Sequence, residues 1–169
     1  ATQIPALAAQ FPSLNAQTTQ RTHCIAFSDW ATQPKVQLDN GMRLDTNYYY
    51  WPSSWIQDRP GMFTGSGMPM RFADLDGTMI NVYQAATQMT DESGQTFPFN
   101  IDTLLDNAVG APGYYGAFTA NMHTDGGSNA NNGALAIVAS AQSRGVPVVS
   151  AEQLLTWVDG RNFSAFTST

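Results

Sequence analysis

The sequence predicts an α/β fold in which parallel strands are covered by helices. The first observation is that residues 99–160 alternate between helical and strand patterns, and such βα alternation is typical of parallel sheets. The second is that residues 20–98 contain short strand patterns separated by Gly and Pro turns. The chain has 169 residues, of which 43% are hydrophobic, so it is large enough to form the core of one domain. We therefore divide it into a β-rich part, 20–98, and a βα tail, 99–160.

The β-rich part consists mainly of predicted strands. The apolar segment 4–14 precedes it as a short helix or an irregular arm. The segment 78–89 fits either a strand or a helix, and the alternation of Ile80 and Val82 favours a strand. The strands predicted here are 23–28, 42–45, 61–65, 70–73 and 78–89.

The tail has clearer beginnings and ends. We expect Asn100 to cap a helix over 101–109 that ends at Gly110, and Ser150 and Gln153 to form a capping box for the last helix. That last helix is predicted to end at Gly160. Between the two helices we predict a strand over 114–122, a loop over 126–133, a helix over 134–144 with Leu135, Val138 and Ala141 on its buried stripe, and a buried strand over 146–149.

Charge and composition exclude several classes of partner. Only 12% of residues are charged, the net charge is −6, and Lys35 is the single lysine. Without clustered cations the chain is a poor ligand for nucleic acid or an anionic membrane. No apolar run approaches the roughly 20 residues of a membrane span. The abundance of neutral polar residues indicates a secreted protein, and the lone Cys24 permits no intrachain disulfide.

Metal-binding patterns are missing from the sequence. His23 and His123 are the only histidines, and no H-x-x-H, H-x-x-x-H or C-x-x-C spacing occurs. The segment Asp74-Leu75-Asp76-Gly77 begins like a calcium loop but lacks the later ligands, so we interpret it as a turn. We therefore predict no metal site within this chain.

Two features suggest chemistry. His123 follows the predicted strand 114–122, and the carboxyl ends of parallel strands commonly hold catalytic groups. It could transfer protons if a carboxylate fixed its tautomer, or be a surface histidine satisfied by Asp125. The aromatic block Tyr48–Trp55 either stacks against sugar rings or packs in the core, and both readings remain open.

The order of features over residues 20–160 resembles the second half of the polysaccharide deacetylase (NodB-homology) family, as found in large secreted bacterial proteins. Ala120-Asn121-Met122-His123 is similar to the family's final histidine motif, and the segment from Gly145 to Leu155 is similar to the ending that follows it. Leu44–Trp51 resembles the aspartate-tryptophan element. Arg21-Thr22-His23 resembles the arginine motif without its usual prolines.

The resemblance implies a fold and a set of roles. The chain would be the C-terminal portion of a distorted (β/α) deacetylase-like barrel with an inserted β-hairpin region, a single partial domain over 1–169 whose N-terminal half is absent. His123 would protonate the leaving group, Asp45 would orient His123, and Arg21 would tune an aspartate base in the absent half. The residues implied to bind substrate are Trp51, Tyr49 and Asp125.

The implied function is part of a metal-dependent carbohydrate deacetylase acting on a polysaccharide, secreted or at the bacterial cell surface. A divalent, zinc-like metal would be held in the complete domain, so this chain alone would be inactive. The alternatives are a non-catalytic glycan-binding or adhesion module, a pseudoenzyme, or a structural half-domain. Besides polysaccharide, we expect the chain to bind the missing half, a second copy of itself or a neighbouring chain.

Overall fold

A computed structural model describes residues 3–22, 29–47, 53–62 and 65–167. This part of the chain is a mixed α/β structure with six helices, a four-stranded mixed sheet and a two-stranded parallel sheet. The helices are α1 (Gln3–Gln10), α2 (Thr32–Asp39), α3 (Ser53–Ile56), α4 (Phe99–Val109), α5 (Gly127–Ser143) and α6 (Ala151–Phe163). The strands are β1 (Thr19–Gln20), β2 (Leu44–Asp45), β3 (Met70–Ala73), β4 (Met79–Gln84), β5 (Thr87–Thr90) and β6 (Thr119–Asn121).

The parallel strands follow one another across the sheet in chain order. β1 pairs in parallel with β2, β2 with β4, and β5 with β6. β4 and β5 are joined by Ala85 and Ala86, and the pairing continues across this junction because the Ala85 amide donates to Asp45 and the Thr87 amide to Asn47. Each parallel strand therefore lies beside its predecessor. β3 is antiparallel to β4 and forms a hairpin with it.

Helices α2 and α6 lie on opposite faces of the sheet formed by β1, β2 and β4. Leu155 and Val158 of α6 pack against Leu44, Tyr83 and Ala85. On the other face, Ala31 at the start of α2 packs against Ile80 and Val82. Successive residues of a strand point to opposite faces, so Tyr83 and Val82 cannot face the same helix.

A second core lies between β5, β6 and the helices of the tail. It contains Met89 of β5, three residues of α4 and one of α5, all at most 5% exposed. Met122, which directly precedes His123, packs against this core. The core residues are Met89, Ile101, Leu104, Leu105 and Ala141.

Several predicted elements are confirmed. The strand 70–73 is β3, the segment 78–89 forms β4 and β5 with Ala85 and Ala86 between them, and β2 lies within 42–45. Ser150 and Gln153 form the capping box at the start of α6. The predicted strand 23–28 lies outside the described residues.

The predicted start of α4 was wrong by two residues. The helix begins at Phe99, and Asn100 lies inside it. The Asn100 side chain is fully buried and donates to Asp58 at 2.7 Å and to the Thr96 carbonyl at 3.1 Å. It therefore ties α4 to the segment after α3 instead of capping the helix.

The predicted loop over 126–133 was also wrong, because α5 begins at Gly127. Gly133 is buried in this helix, and a Cβ there would approach Phe97 to 3.2 Å, so glycine permits close packing. The buried face of α5 consists of Ala130, Gly133, Ser140 and Ala141. Of the expected stripe only Ala141 is buried, and Leu135 is 65% exposed.

Four further boundaries differ from the prediction. Only 119–121 of the predicted strand 114–122 is paired, and 146–149 is not a strand. Val148 and Val149 are each more than half exposed, and no described strand lies beside them. Gly61 and Met62 form a turn instead of a strand. α6 continues through Gly160 to Phe163.

Candidate functional site

The central feature of the site is a histidine–carboxylate pair at the carboxyl ends of two neighbouring parallel strands. Asp91 directly follows β5, and His123 follows β6 by two residues. Nδ1 of His123 lies 2.9 Å from Oδ1 of Asp91, and the backbone N–H of His123 donates to the same oxygen at 3.2 Å. The side chains are 21% and 9% exposed, so the pair is largely shielded but still reachable from solvent.

The pair sets the protonation of both groups. The hydrogen bond to Asp91 raises the pKa of His123 above its ordinary value, against an opposing effect of burial. Burial opposes the ionisation of Asp91, but the hydrogen bonds from the ring and backbone of His123 outweigh it and lower the Asp91 pKa. An ionised Asp91 accepts a hydrogen bond from Nδ1–H, which leaves Nε2 as the nitrogen that can exchange a proton with a ligand.

Two further charges act on His123. Oε1 of Glu92 lies 3.9 Å from Nε2, and the charge of Glu92 supports the imidazolium form. Arg21, which directly follows β1, acts in the opposite direction because its positive charge lowers the His123 pKa. The structure therefore brings Arg21 and His123, both predicted site residues, within electrostatic range of each other.

Asp45 lies at the end of β2 in a buried polar network. Its carboxylate is inaccessible to solvent and accepts hydrogen bonds from the Thr22 hydroxyl at 2.9 Å, the Thr22 amide at 3.3 Å and the Gln37 side chain. In the orientation that satisfies its amide, Asn47 donates to both oxygens at 3.0 Å. Burial raises the pKa of Asp45, while the bonds from Thr22 and Gln37 oppose that rise.

The expected contact between Asp45 and His123 was therefore wrong, because the carboxylate that orients His123 is Asp91. The Asp45 carboxylate instead accepts hydrogen bonds from Thr22 and Gln37. Since Thr22 follows Arg21 directly, Asp45 fixes the backbone that carries Arg21.

The N-terminus of α5 adjoins the pair. Gly126 precedes the helix, and a Cβ at this position would lie 2.6 Å from Oδ2 of Asp91 and 3.3 Å from Cβ of His123. Glycine is therefore what lets the helix start so close to the carboxylate. The partial positive charge of a helix N-terminus favours an ionised Asp91.

Of the three predicted substrate-binding residues, the structure describes only Asp125. Asp125 lies exposed in the turn between β6 and α5. Tyr49 and Trp51 lie outside the described residues. Trp55, the last ring of the aromatic block, belongs to α3 and is 53% exposed.

Asp91 and Glu92 were missed by the sequence analysis, although a usable signal existed. The rule that selected His123, a polar residue directly after a parallel strand, applies equally to Asp91 after the segment 78–89. The uncertainty between helix and strand for that segment concealed it.

A metal centre does not fit the side chains of residues 3–22, 29–47, 53–62 and 65–167. No group of three or more His, Cys, Asp or Glu within these ranges could hold a metal ion. None of the helices in the same part of the chain is long and apolar enough to cross a membrane.

Comparison with known proteins gives no relative: no protein-family model, no curated protein and no solved structure matches this chain.

Proposed function

We propose that this chain is the catalytic-histidine portion of a deacetylase-like hydrolase that acts on a polysaccharide outside a bacterial cell. The observation that carries the proposal is the pairing of His123 with Asp91 at the carboxyl ends of neighbouring parallel strands. Groups at such strand ends converge on one rim of an α/β structure, where ligands bind.

The strand order supports the barrel part of the proposal. β1, β2, β4–β5 and β6 follow one another across the sheet without a reversal. Sequential neighbours are the order of a (β/α) barrel, whereas doubly wound sheets reverse direction at a switch point. Within this proposal the added strand is β3, because it is antiparallel to β4, whereas β4 belongs to the parallel order.

The chemistry assigned to His123 is that of a general acid. Hydrolysis of an acetamide adds water to the carbonyl carbon and breaks the C–N bond, so the departing nitrogen needs a proton. His123 supplies that proton from Nε2, and Asp91 stabilises the imidazolium before transfer. A raised pKa suits this role because it keeps more of the ring protonated near neutral pH.

Arg21 and Asp45 have supporting roles in this proposal. Arg21 keeps the pKa of His123 from rising further and presents its charge at the rim. Asp45 is a positioning residue, because its hydrogen bonds to Thr22 hold the chain after Arg21. Residues outside this chain would hold the divalent metal and supply the base of the reaction. The residues described here would take no part in holding the metal.

Acetate release from acetylated chitooligosaccharide by the natural full-length protein tests the proposal. We expect His123→Ala to reduce the rate by about 10²–10⁴-fold while substrate affinity stays within about twofold. Asp91→Asn should reduce the rate less and shift the pH profile toward acid. Equal rates for the wild type and His123→Ala would remove His123 from the reaction.

A non-catalytic glycan-binding module or pseudoenzyme is the second candidate. The half-exposed ring of Trp55 favours it, since exposed aromatic rings are suited to stacking against sugars. Polysaccharide binding without acetate release by the full-length protein would establish this candidate.

The partner proposed for the chain is the rest of the barrel or a second copy. Among the described strands, β1 pairs only with β2 and β6 only with β5. Strand edges left open in this way tend to pair with other chains. Light scattering should therefore show self-association of the isolated chain, and a stable monodisperse monomer would contradict the half-barrel.

A further inference from the structure

A second surface feature lies at the other end of β6 from His123. Tyr115 and Trp157 form an exposed ring pair with centroids 6.0 Å apart and planes tilted by 41°. The guanidinium carbon of Arg161 lies 6.0 Å from the centre of the Trp157 ring. We call Tyr115, Trp157 and Arg161 the aromatic platform. We propose that it binds a neutral polysaccharide segment.

The platform is exposed and yet held in place. Tyr115 is 65% exposed and Trp157 is 44% exposed. The backbone on either side of Tyr115 is fixed, because the Tyr114 amide donates to Asn107 and the Ala117 amide donates to Ser66, both at 3.0 Å. Ordered rings lose little conformational entropy when a ligand covers them, and this favours binding.

Trp157 is anchored from the other side of its helix. Its neighbours Leu155 and Val158 are buried against the sheet and fix the orientation of α6. Exposed apolar groups on a rigid element commonly mark interaction sites. The two rings therefore form a preorganised surface.

The side chains of the platform indicate which class of ligand it binds. Two rings cover far less than the roughly 1,000 Å² of a stable protein interface. A pyranose matches the platform better because its C–H face can stack on a ring while its hydroxyls meet the Arg161 donors and the Tyr115 hydroxyl. The net charge of −6 disfavours a polyanion.

The platform is separate from the candidate active site. Tyr115 precedes β6 and His123 follows it, so the two features lie at opposite ends of that strand. The inference shares with the proposed function the expectation of a polysaccharide ligand, but it does not depend on catalysis. It requires α6 to lie on the sheet, where Leu155 and Val158 are buried, and it therefore concerns the isolated chain.

The test is titration of the 169-residue chain with fully N-acetylated chitohexaose, which is neutral and is called chitohexaose below. Binding is followed through the indole N–H signals of the four tryptophans. We expect the Trp157 signal to shift, and Trp157→Ala or Tyr115→Ala to weaken binding by about tenfold. Trp157→Phe should retain part of the affinity, and circular dichroism establishes that each variant is folded.

Trp30→Ala is the matched control. Trp30 is 65% exposed and also fixed, through a hydrogen bond from its indole to the Ala73 carbonyl, but it lies beside the β3–β4 hairpin. Its replacement should leave chitohexaose affinity unchanged. An equal loss in Trp30→Ala and Trp157→Ala would overturn the proposal.

Three other results would also overturn it: no shift at millimolar chitohexaose, tighter binding of a heparin hexasaccharide, or a change of oligomeric state in Trp157→Ala, which would make the platform a contact between chains. His123→Ala separates this inference from the proposed function. We expect that variant to bind chitohexaose normally even where acetate release is lost.

Discussion

Gly126→Ala tests whether the close approach of α5 holds Asp91 against His123. A Cβ at this position would lie 2.6 Å from Oδ2 of Asp91 and 2.8 Å from Cβ of Ala130. Asp91 must then move by about 0.8 Å to reach ordinary contact, and a movement of that size is enough to break its 2.9 Å bond to His123. The backbone adds no strain, because φ at Gly126 is −73°.

The expected result is a lower pKa of His123. Because the hydrogen bond to Asp91 is the main reason for its raised pKa, displacement of Asp91 should return the ring toward its ordinary value of 6.5. The C2 proton of His123, assigned with a His23→Gln variant, reports this by NMR titration. Overpacking should also lower the free energy of unfolding by about 1–3 kcal/mol.

Gly160→Ala is the control for the general effect of adding a methyl group. Nothing lies within 4 Å of a Cβ at Gly160, which is inside α6. This variant should gain up to about 1 kcal/mol of stability from helix propensity and leave the His123 titration unchanged. An unchanged His123 pKa in Gly126→Ala would refute the reasoning.

The remaining predictions concern charge and packing. Asp91→Asn should lower the His123 pKa, and its stability deficit by urea unfolding should be largest between the unfolded pKa values of about 3.9 for Asp and 6.5 for His. This stability deficit should shrink as the pH rises through the raised pKa of His123, and also as the pH falls through the lowered pKa of Asp91. A deficit that does not depend on pH would argue against the ion pair. Asp45→Ala should lower the free energy of unfolding by about 2–4 kcal/mol, because it leaves the donors of Thr22 and Gln37 without a partner. Asp39 is exposed, and Asp39→Ala should change stability by less than about 0.5 kcal/mol. Leu105→Ala should cost about 2–5 kcal/mol because its side chain is buried, and Leu135→Ala should cost close to none because its side chain is exposed. Similar losses in the two variants would mean that Leu135 is buried, as the sequence predicted.

The sequence predicted β3 and β4 correctly but also placed a strand over 146–149, where none forms. Ile80 and Val82 marked β4 correctly because their alternation reflects burial of one strand face. The segment 126–133 was predicted as a loop because it is rich in glycine and asparagine, which usually indicate loops. The reason for Gly133, close packing against Phe97, exists only in the folded chain.

The candidate site was predicted only in part, because some of its contacts also exist only in the folded chain. Position after a strand identified His123 from local sequence alone. Its carboxylate partner could not be chosen that way, because Asp45 ends one strand and Asp91 follows another, and only the pairing of β5 with β6 decides between them. Asp45 is committed to Thr22 and Gln37 by contacts that a linear pattern does not contain.

The position of α6 offers the sharpest test of the barrel. A closed barrel keeps helices outside and fills its interior with strand side chains. α2 connects the neighbouring strands β1 and β2 and so belongs to the outer layer, which places α6 on the face that a closed barrel would enclose.

Closure of the barrel therefore requires α6 to leave Leu44, Tyr83 and Ala85. Leu155 is 6% exposed, so Leu155→Ala should cost the isolated chain about 2–5 kcal/mol in urea unfolding. In a longer protein that closed the barrel, the same substitution should cost less than about 1 kcal/mol, because a released α6 would no longer bury that side chain. Val149→Ala, at an exposed position just before α6, controls for changes in unfolding behaviour between the two proteins. An equal cost of Leu155→Ala in both would mean that α6 stays on the sheet, and an open sheet with helices on both faces would then replace the barrel.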